Sequence, residues 1–226
     1  QFTGVEGPSS AALVLGSDGT FYGTTPFGGA DNQGTIFTMT AEGVLTTLVE
    51  FSGTGAADVG AFPDGALVLS SGGDFYGTTN RGGFDGNDVG TVFRLTPEGT
   101  LTTLVDFAAR GGGGVGGSPA AALVLGDDGN FYGTTPFGGA DDQGTIFRMT
   151  AEGLLTTLFE FGRNDNGSLP YAALVQGNDG DFYGTTHLGG IGYGTAFKIT
   201  PGGELTTLVQ FTGVEGPSSA ALVLGS

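Results

Sequence analysis

The sequence predicts an all-β protein made of four tandem, propeller-like blades, each a sheet of four antiparallel strands. The first observation is a repeated motif. Residues 18–25 read Asp-Gly-Thr-Phe-Tyr-Gly-Thr-Thr, and close variants follow with their Phe-Tyr pairs starting at positions 75, 131 and 182. The resulting repeat length of about 51–56 residues is typical of propeller blades. The second observation is that each repeat holds four short β-like runs divided by Gly-rich turns, without capped helical periodicity.

The first repeat sets the plan for all four. Residues 11–16 form a short apolar run, predicted as a buried strand, and residues 20–25 form a second strand rich in aromatic and β-branched residues. Asp18-Gly19 between them predicts a tight turn in which glycine takes a positive φ. A longer loop then leads to strands at residues 35–40 and 44–51, joined by a second tight turn. The same plan predicts strands at residues 66–69, 74–79, 91–96 and 100–107, at 121–125, 130–135, 145–150 and 154–161, and at 172–175, 181–186, 195–200 and 204–211.

The repeats also define the domain organisation. We expect residues 1–10 to be the tail of a preceding repeat with its linker, and residues 217–226, which duplicate 8–17, to be the first strand of a further repeat. Residues 1–17 are identical to residues 210–226, which favours a window on a longer native array over an engineered overlap. The four full repeats are predicted at residues 11–62, 63–118, 119–169 and 170–216.

Two kinds of connection alternate along each repeat. The first-to-second and third-to-fourth connections are tight, whereas the second-to-third connections and the linkers are long and variable. Alternate connections of a meander lie at the same end, so we expect the variable loops to share one face, where binding is usual. Apolar residues recur at equivalent places, as at Leu13, Leu15, Phe21 and Leu48, and predict blades that pack on each other. A β-solenoid is the competing architecture, and the hairpin turns favour blades.

Composition excludes several classes of partner. The 226 residues include 23 acidic and only 6 basic ones, which gives a net charge of −17. This charge repels phosphate backbones and anionic membrane surfaces, so we expect no nucleic acid partner. The sequence has no apolar stretch long enough to span a membrane, so we expect no direct membrane insertion. Cysteine is absent, which excludes disulfides and Cys-based metal sites.

The repeated pattern resembles a known family. Asp-Gly-x-Phe-Tyr-Gly-Thr-Thr, followed by Gly-Gly, Gly-Thr-x-Phe and Leu-Thr-Thr-Leu, is similar to the GloVer-type, choice-of-anchor tandem repeat of bacterial surface proteins. The resemblance extends over all four repeats. It implies export of the full protein and attachment to the cell surface through a separate C-terminal anchor, hence a secreted or cell-surface location. It implies no enzymatic activity and no functional residue.

The sequence shows no catalytic constellation, and we expect the protein not to be an enzyme. His187 is the one histidine and begins a long loop, where nothing places a nucleophile beside it. Glycosidases need two carboxylates that flank one bond. Most acidic residues here occupy turns instead, and Asp64 is the lone acid just before a first strand.

Calcium is the one cofactor that the sequence suggests. Ca²⁺ takes several oxygen ligands from carboxylates, amides and carbonyls, and the long loops offer such groups. Only residues 85–90 loosely resemble a calcium loop, without the bidentate glutamate, so solvated acidic turns are the competing explanation. The candidate ligands are Asp31, Asp85, Asn87, Asp88, Asp141 and Asp142.

Aromatic residues of the long loops are the candidate ligand-binding residues, namely Phe27, Phe137 and Tyr193. The tyrosines of the motif, Tyr22, Tyr76, Tyr132 and Tyr183, would form a sugar-stacking platform in a lectin-like ring. Their faithful repetition favours packing between blades instead, with a satisfied hydroxyl.

These observations predict a structural or adhesive repeat segment, part of an extended array or filament. Its partners would be further copies of the repeat, through self-association. The regular units and near-duplicate copies support this prediction. The alternative is a closed β-propeller binding module that recognises a peptide or a surface glycan through its variable-loop face.

Overall fold

The protein is built from antiparallel β-sheets. The computed structural model describes residues 11–53, 60–83, 88–107, 116–162, 166–212, 221–223 and 225. These residues form sixteen strands in four antiparallel sheets of four strands each. They fall into two compact units, Gln1–Asp106 and Phe107–Ser226, with two sheets apiece. The predicted all-β architecture of four-stranded antiparallel blades is confirmed. No helix in the described part of the chain is long and apolar enough to cross a membrane.

Each sheet is a meander whose strands pair in sequence order. The first unit contains β1 (Val14–Leu15), β2 (Phe21–Thr25), β3 (Thr35–Met39) and β4 (Leu45–Glu50), then β5 (Val68–Leu69), β6 (Phe75–Thr79), β7 (Thr91–Leu95) and β8 (Leu101–Asp106). The second unit contains β9 (Val124–Leu125), β10 (Phe131–Thr135), β11 (Thr145–Met149) and β12 (Leu155–Glu160), then β13 (Val175–Gln176), β14 (Phe182–Thr185), β15 (Thr195–Ile199) and β16 (Leu205–Gln210).

The first strand of each sheet is shorter than the sequence predicts. In the first sheet, pairing is limited to Val14 with Tyr22 and Leu15 with Phe21, because the tight turn begins at once. The prediction of a buried strand at residues 11–16 is wrong for this repeat, since Leu13 is 43% and Leu15 55% exposed. The equivalent of Leu13 in the next repeat, Leu67, is only 2% exposed.

The aromatic pair of the motif joins the two sheets of a unit. In the first unit the ring of Tyr22 lies 4.1 Å from that of Phe75, and in the second unit Tyr132 lies 3.9 Å from Phe182. Each pair belongs to a buried cluster with residues from both of its sheets. The tyrosine of one repeat therefore packs on the phenylalanine of the next within each unit, which is the packing role that the sequence suggested.

The rest of the motif serves close packing and the loop that follows. A Cβ on Gly23 would lie 2.5 Å from the ring of Phe37, so only glycine fits there. The buried hydroxyls of Thr25 and Thr35 lie 2.8 Å apart and share a hydrogen bond, and Thr25 also donates to the carbonyl of Phe27 at 2.7 Å. The motif thus fixes the first residues of the long loop.

A bulge interrupts the third and fourth strands of every sheet. In the first sheet Ile36 pairs with Val49 but Phe37 pairs with Thr47, so Leu48 is an extra residue. Leu48 and Val49 both pack on the buried cluster of the first unit, which strict alternation of strand faces would not allow. The bulge thereby widens the apolar face that the next sheet covers.

Candidate functional site

The linker between the first two repeats is hydrogen-bonded to the long loops at one end of the first unit. The amide of Phe62 donates to the carbonyl of Gln33 at 2.8 Å, and the carbonyl of Phe62 accepts from the amide of Asn80 at 3.0 Å. Ala61 and Arg81 form an isolated antiparallel bridge beside it. Residues far apart in sequence are therefore held together by backbone hydrogen bonds.

Phe62 takes a backbone conformation that costs energy for an aromatic residue. Its φ is 56°, in the left-handed region, where a non-glycine residue loses about 1–2 kcal/mol. Ser118 and Leu169, at the equivalent places in the later linkers, have φ values of 54° and 57°. The backbone geometry belongs to the repeat, whereas the aromatic side chain is specific to this linker.

Phe27 and Phe62 form an aromatic corner that opens to solvent. Their ring centroids lie 5.5 Å apart at an interplanar angle of 75°, and Phe27 is 46% exposed. The guanidinium of Arg81 lies 5.7 Å from the centroid of the Phe62 ring, within the range of a cation–π contact.

Two adjacent cavities share Phe62 and Arg81 as walls. The first, here called the Phe27 cavity, has a volume of about 340 Å³ and is lined by Phe27, Phe62, Asp64, Asn80 and Arg81. The second measures about 280 Å³, and its lining is completed by Gln33, Ser52, Gly53, Ala61 and Asp88.

Of the two charged side chains that line the Phe27 cavity, Arg81 is paired with another charge, whereas Asp64 is paired with none that the structure describes. Arg81 Nη1 lies 3.9 Å from Asp88 Oδ2, a solvent-exposed ion pair that offsets the charge of the guanidinium. Asp64 is half-buried, and burial raises the pKa of its carboxyl above the ordinary value. The Asp64 carboxylate has no hydrogen-bond partner among the residues that the structure describes. The Phe27 cavity therefore offers an acceptor that is not already used by the protein.

The second unit carries a different cluster at the equivalent place. The ring of Tyr171 meets those of Phe137 and His187 edge-on, at 6.3 and 5.8 Å between centroids. His187 Nδ1 is buried and lacks a hydrogen-bond partner within the described part of the chain. Leu188 stands where the first unit has Arg81, and Tyr171 where it has Asp64. Of the two clusters, only the one in the first unit therefore has a carboxylate, Asp64, and a guanidinium, Arg81, at these positions.

The comparisons with known proteins decide the family. The sequence model of the Gloeobacter/Verrucomicrobia repeat matches residues 1–117 and again residues 109–226. The chain belongs to the Gloeobacter/Verrucomicrobia repeat family. The resemblance predicted from the motif is confirmed. No curated protein matches the sequence.

Solved structures support the propeller-type fold of this Gloeobacter/Verrucomicrobia repeat chain. Virginiamycin B lyase from Staphylococcus aureus is 20% identical with a TM-score of 0.58, over 87% of this chain and 54% of the lyase. A protein named as a gluconolactonase is 13% identical with a TM-score of 0.54, over 92% of this chain and 65% of its own. Both are β-propeller enzymes. The chain spans about half the length of the lyase, and identities this low show the fold alone.

The three aromatic residues predicted to bind ligand lie in three different settings. Phe27 lines the Phe27 cavity, and Phe137 packs against Tyr171 in the other unit. Tyr193 lies on the β14–β15 loop and is exposed. Sequence reasoning missed Phe62, Asn80 and Arg81 as parts of one site. The available signal was the variation at two positions of each repeat, the linker residues around Pro63 and the dipeptide after each Thr-Thr.

Several candidate calcium ligands of this family member hold the long loops together. Asp88 Oδ1 accepts from the amide of Gly82 at 2.8 Å, and Asp142 Oδ1 accepts from that of Gly138 at 2.7 Å. Both aspartates have positive φ values near 50°. Asp31 and Asp141 are exposed, while Asp85 and Asn87 lie outside the described residues. No group of three or more acidic or histidine side chains that could hold a metal occurs in the part of the chain that is described.

The aspartates of the tight turns bind the motif tyrosines. Tyr132 donates its hydroxyl to Asp128 Oδ2 at 2.8 Å, and Tyr183 does the same to Asp179. Burial is the larger cause and this hydrogen bond the next, and together they raise the pKa of Tyr132 to about 12. Burial opposes the change at Asp128, but hydrogen bonds from Asn130 and Tyr132 lower the pKa of its carboxyl. These polar residues are therefore occupied with one another and with the turn.

Proposed function

We propose that the chain is a structural repeat segment of a secreted or cell-surface bacterial protein, which associates with further repeats through the apolar faces of its outermost sheets. The observation that carries this proposal is a difference between equivalent positions. Apolar residues that are buried between two sheets inside a unit are exposed in the first and the fourth repeats.

The first sheet leaves the side that would meet a preceding blade uncovered. Leu13 is exposed, although Leu67 at the same place in the second repeat is buried. Phe21 is only half-buried, whereas Phe75 is 1% exposed beneath Tyr22. A Cβ on Gly43 would meet no atom within 4 Å, but one on Gly99 would lie 2.8 Å from Leu48 of the neighbouring sheet.

The fourth sheet leaves the opposite side uncovered. Leu208 and Val209 are 49% and 51% exposed, while their equivalents Leu48 and Val49 pack on the next sheet. Tyr183 has no partner ring among the described residues, although Tyr22 and Tyr132 each have one. The side that seats a following phenylalanine is therefore present and open.

Two described residues near the C-terminus lie at this side of the fourth sheet. Leu222 and Val223 line a cavity of about 200 Å³ together with Val175 and Tyr183. They repeat Leu13 and Val14 of the first strand in sequence. In the first unit, Leu67 of the next repeat likewise joins the cluster around Tyr22. The placement supports a following repeat as the occupant, with its motif phenylalanine against Tyr183.

Two unlike faces that complement each other generate head-to-tail association. The side of the fourth sheet fits the side of the first sheet, because the same pair of surfaces packs inside each unit. A second copy of the chain, or a further repeat in a longer protein, supplies the missing face. This supports a structural array as the role, with self-association as the partner interaction.

Measurement of the oligomeric state tests the proposal. We expect the molar mass from light scattering to rise with protein concentration, and negative-stain images to show linear arrays. Val209→Lys should abolish this association because it places a charge on the exposed apolar face. Leu154→Lys is the matched control, since Leu154 is 71% exposed and precedes β12 of the third sheet rather than lying on the fourth. A chain that stays monomeric at all concentrations, or equal effects of the two variants, contradicts the proposal.

The proposal includes no catalysed reaction. It also places the protein outside the cell, as the resemblance to bacterial surface repeats implies. Immunolabelling of intact and permeabilised cells of the native organism tests the location. Equal labelling without and with permeabilisation is expected, and labelling that requires permeabilisation contradicts it.

A further inference from the structure

The Phe27 cavity is the strongest feature that a purely structural role leaves unexplained. It draws one residue from the β2–β3 loop, two from the linker and two from the loop that follows β6. It is held by the backbone bonds of Phe62, a residue in a strained conformation. The same backbone conformation occurs at Ser118 and Leu169, so the side chains distinguish this place from the other linkers. We propose that the Phe27 cavity binds a neutral carbohydrate, one sugar ring seated in the aromatic corner.

The shape of the cavity suits one sugar ring. Its volume of about 340 Å³ is at the lower end of the range of about 300–1,000 Å³ found for small-molecule sites. Phe27 and Phe62 meet nearly at right angles and give two apolar walls. The C–H face of a sugar ring packs on such a wall and leaves its hydroxyls free to face the polar residues.

The polar lining offers donors and acceptors together. The guanidinium of Arg81 only donates, the carboxylate of Asp64 only accepts, and the amide of Asn80 does both. A sugar hydroxyl donates one hydrogen bond and accepts others, so neighbouring hydroxyls can use the donor Arg81 and the acceptor Asp64 at once. Hydrogen bonds to charged groups are the stronger ones, which makes Arg81 and Asp64 the main determinants.

The charges argue against charged ligands. A cation would meet the guanidinium of Arg81, which already lies over Phe62. An anion would meet the free carboxylate of Asp64 and a chain of net charge −17. The ion pair of Arg81 with Asp88 leaves the guanidinium positioned but partly neutralised. A neutral polyol is the class of ligand that uses both charged groups without opposing either.

The site is specific to one repeat. The equivalents of Phe62, Asp64 and Arg81 in the second unit are Leu169, Tyr171 and Leu188, which supply neither charged group. The equivalent of Asp64 in the linker before the third repeat is Ala120. We therefore expect one binding site on the first unit and none at the equivalent cluster of the second.

Ligand-observed NMR with a panel of neutral saccharides tests the inference. The panel contains glucose, galactose, mannose and N-acetylglucosamine with their β-linked disaccharides, and glucuronate and tetramethylammonium serve as charged comparators. We expect at least one neutral saccharide to bind, in preference to both comparators. Titration calorimetry of that saccharide should give one site per chain.

Three variants and one control then locate the site. Arg81→Leu and Asp64→Ala should each weaken binding by about tenfold or more, because each removes a hydrogen bond with a charged partner. Both introduce a residue that another repeat already carries at that position, so the fold tolerates it, and urea midpoints check this. Phe27→Ala should weaken binding as well, whereas Phe137→Ala in the second unit should leave it unchanged.

Three results would overturn the inference. The first is that no neutral saccharide binds. The second is that glucuronate or tetramethylammonium binds more tightly than every neutral saccharide, which would assign an anion or a cation site. The third is that Phe137→Ala reduces saccharide binding as much as Phe27→Ala, which would place the ligand outside the Phe27 cavity.

Discussion

Replacing Phe75 by alanine should destabilise the first unit far more than replacing Phe21, although both residues occupy the same place in the motif. Phe75 is 1% exposed and its ring lies 4.1 Å from that of Tyr22. Phe21 is half-buried and shares no such stack among the described residues. The two replacements therefore remove the same atoms from different surroundings within one unit.

The expected magnitudes follow from burial. Phenylalanine to alanine in a packed core costs about 3–5 kcal/mol through lost burial and the cavity left behind. The aromatic pair with Tyr22 adds about 0.5–1.5 kcal/mol and places Phe75→Ala in the upper part of that range. Full burial of such a side chain is worth about 1.5–3 kcal/mol, so the half-buried Phe21 should cost about 1 kcal/mol.

Urea unfolding followed by circular dichroism measures the difference. The protein has no tryptophan, and its tyrosine fluorescence provides a second probe. Measurements at low protein concentration keep the chain from associating. Phe182→Ala repeats the experiment in the second unit, where Phe182 is buried against Tyr132. Equal losses for Phe21→Ala and Phe75→Ala would refute the assignment of the stack as the main contact between the two sheets.

Three further predictions concern turns, loops and pH. Gly203→Ala should lower the thermal midpoint more than Gly43→Ala. Both glycines have positive φ, but a Cβ on Gly203 would lie 2.8 Å from the carbonyl oxygen of Leu158, whereas one on Gly43 would meet no atom within 4 Å. Equal midpoints for the two variants would contradict this difference in packing. Asp142→Ala should lower the free energy of unfolding by about 1–3 kcal/mol because the hydrogen bond from the Gly138 amide is lost, whereas Asp141→Ala should lower it by less than about 0.5 kcal/mol. Both values should be the same in EDTA, and a loss of stability on adding EDTA would favour a calcium site instead. Because the pKa of Tyr132 is raised in the folded chain, the unfolded chain loses the proton first, so the contribution of Tyr132 to stability is fully present below pH 10 and is lost as the pH rises from 10 to about 12. Tyr132→Phe should therefore make the urea midpoint depend less on pH over this range, and an unchanged pH dependence would contradict the prediction.

The loop site shows where sequence reasoning reached its limit. Phe27 was predicted as a ligand-binding residue because it is an aromatic residue in a long loop. Its partners Phe62 and Arg81 come from the next linker and from the loop after β6, some 35 and 54 positions along the chain. Their approach depends on how the second sheet packs on the first, which periodicity within one repeat does not encode.

The candidate calcium residues show a second limit. A cluster of Asp and Asn in a loop has the composition of a metal site and of a turn alike. Only the structure shows that Asp88 and Asp142 accept hydrogen bonds from glycine amides and that both aspartates take a left-handed backbone conformation. The EDTA measurement decides between a calcium ligand and a loop hydrogen bond as the role of these aspartates.

The sequence by itself determined the class of fold, the four repeats, the tight turns and the packing role of the Phe-Tyr pair, because strand periodicity and turn chemistry are local properties. The tertiary structure alone decided which copy of each motif is covered. Leu13 and Leu67 are the same residue in the same motif, yet one is exposed and the other buried, since burial depends on the neighbouring sheet. It also decided the bulge at Leu48, which recurs in every sheet, and the assembly of the Phe27 cavity. The cavity arises from contacts between chain segments distant in sequence, and these contacts distinguish this repeat from the others.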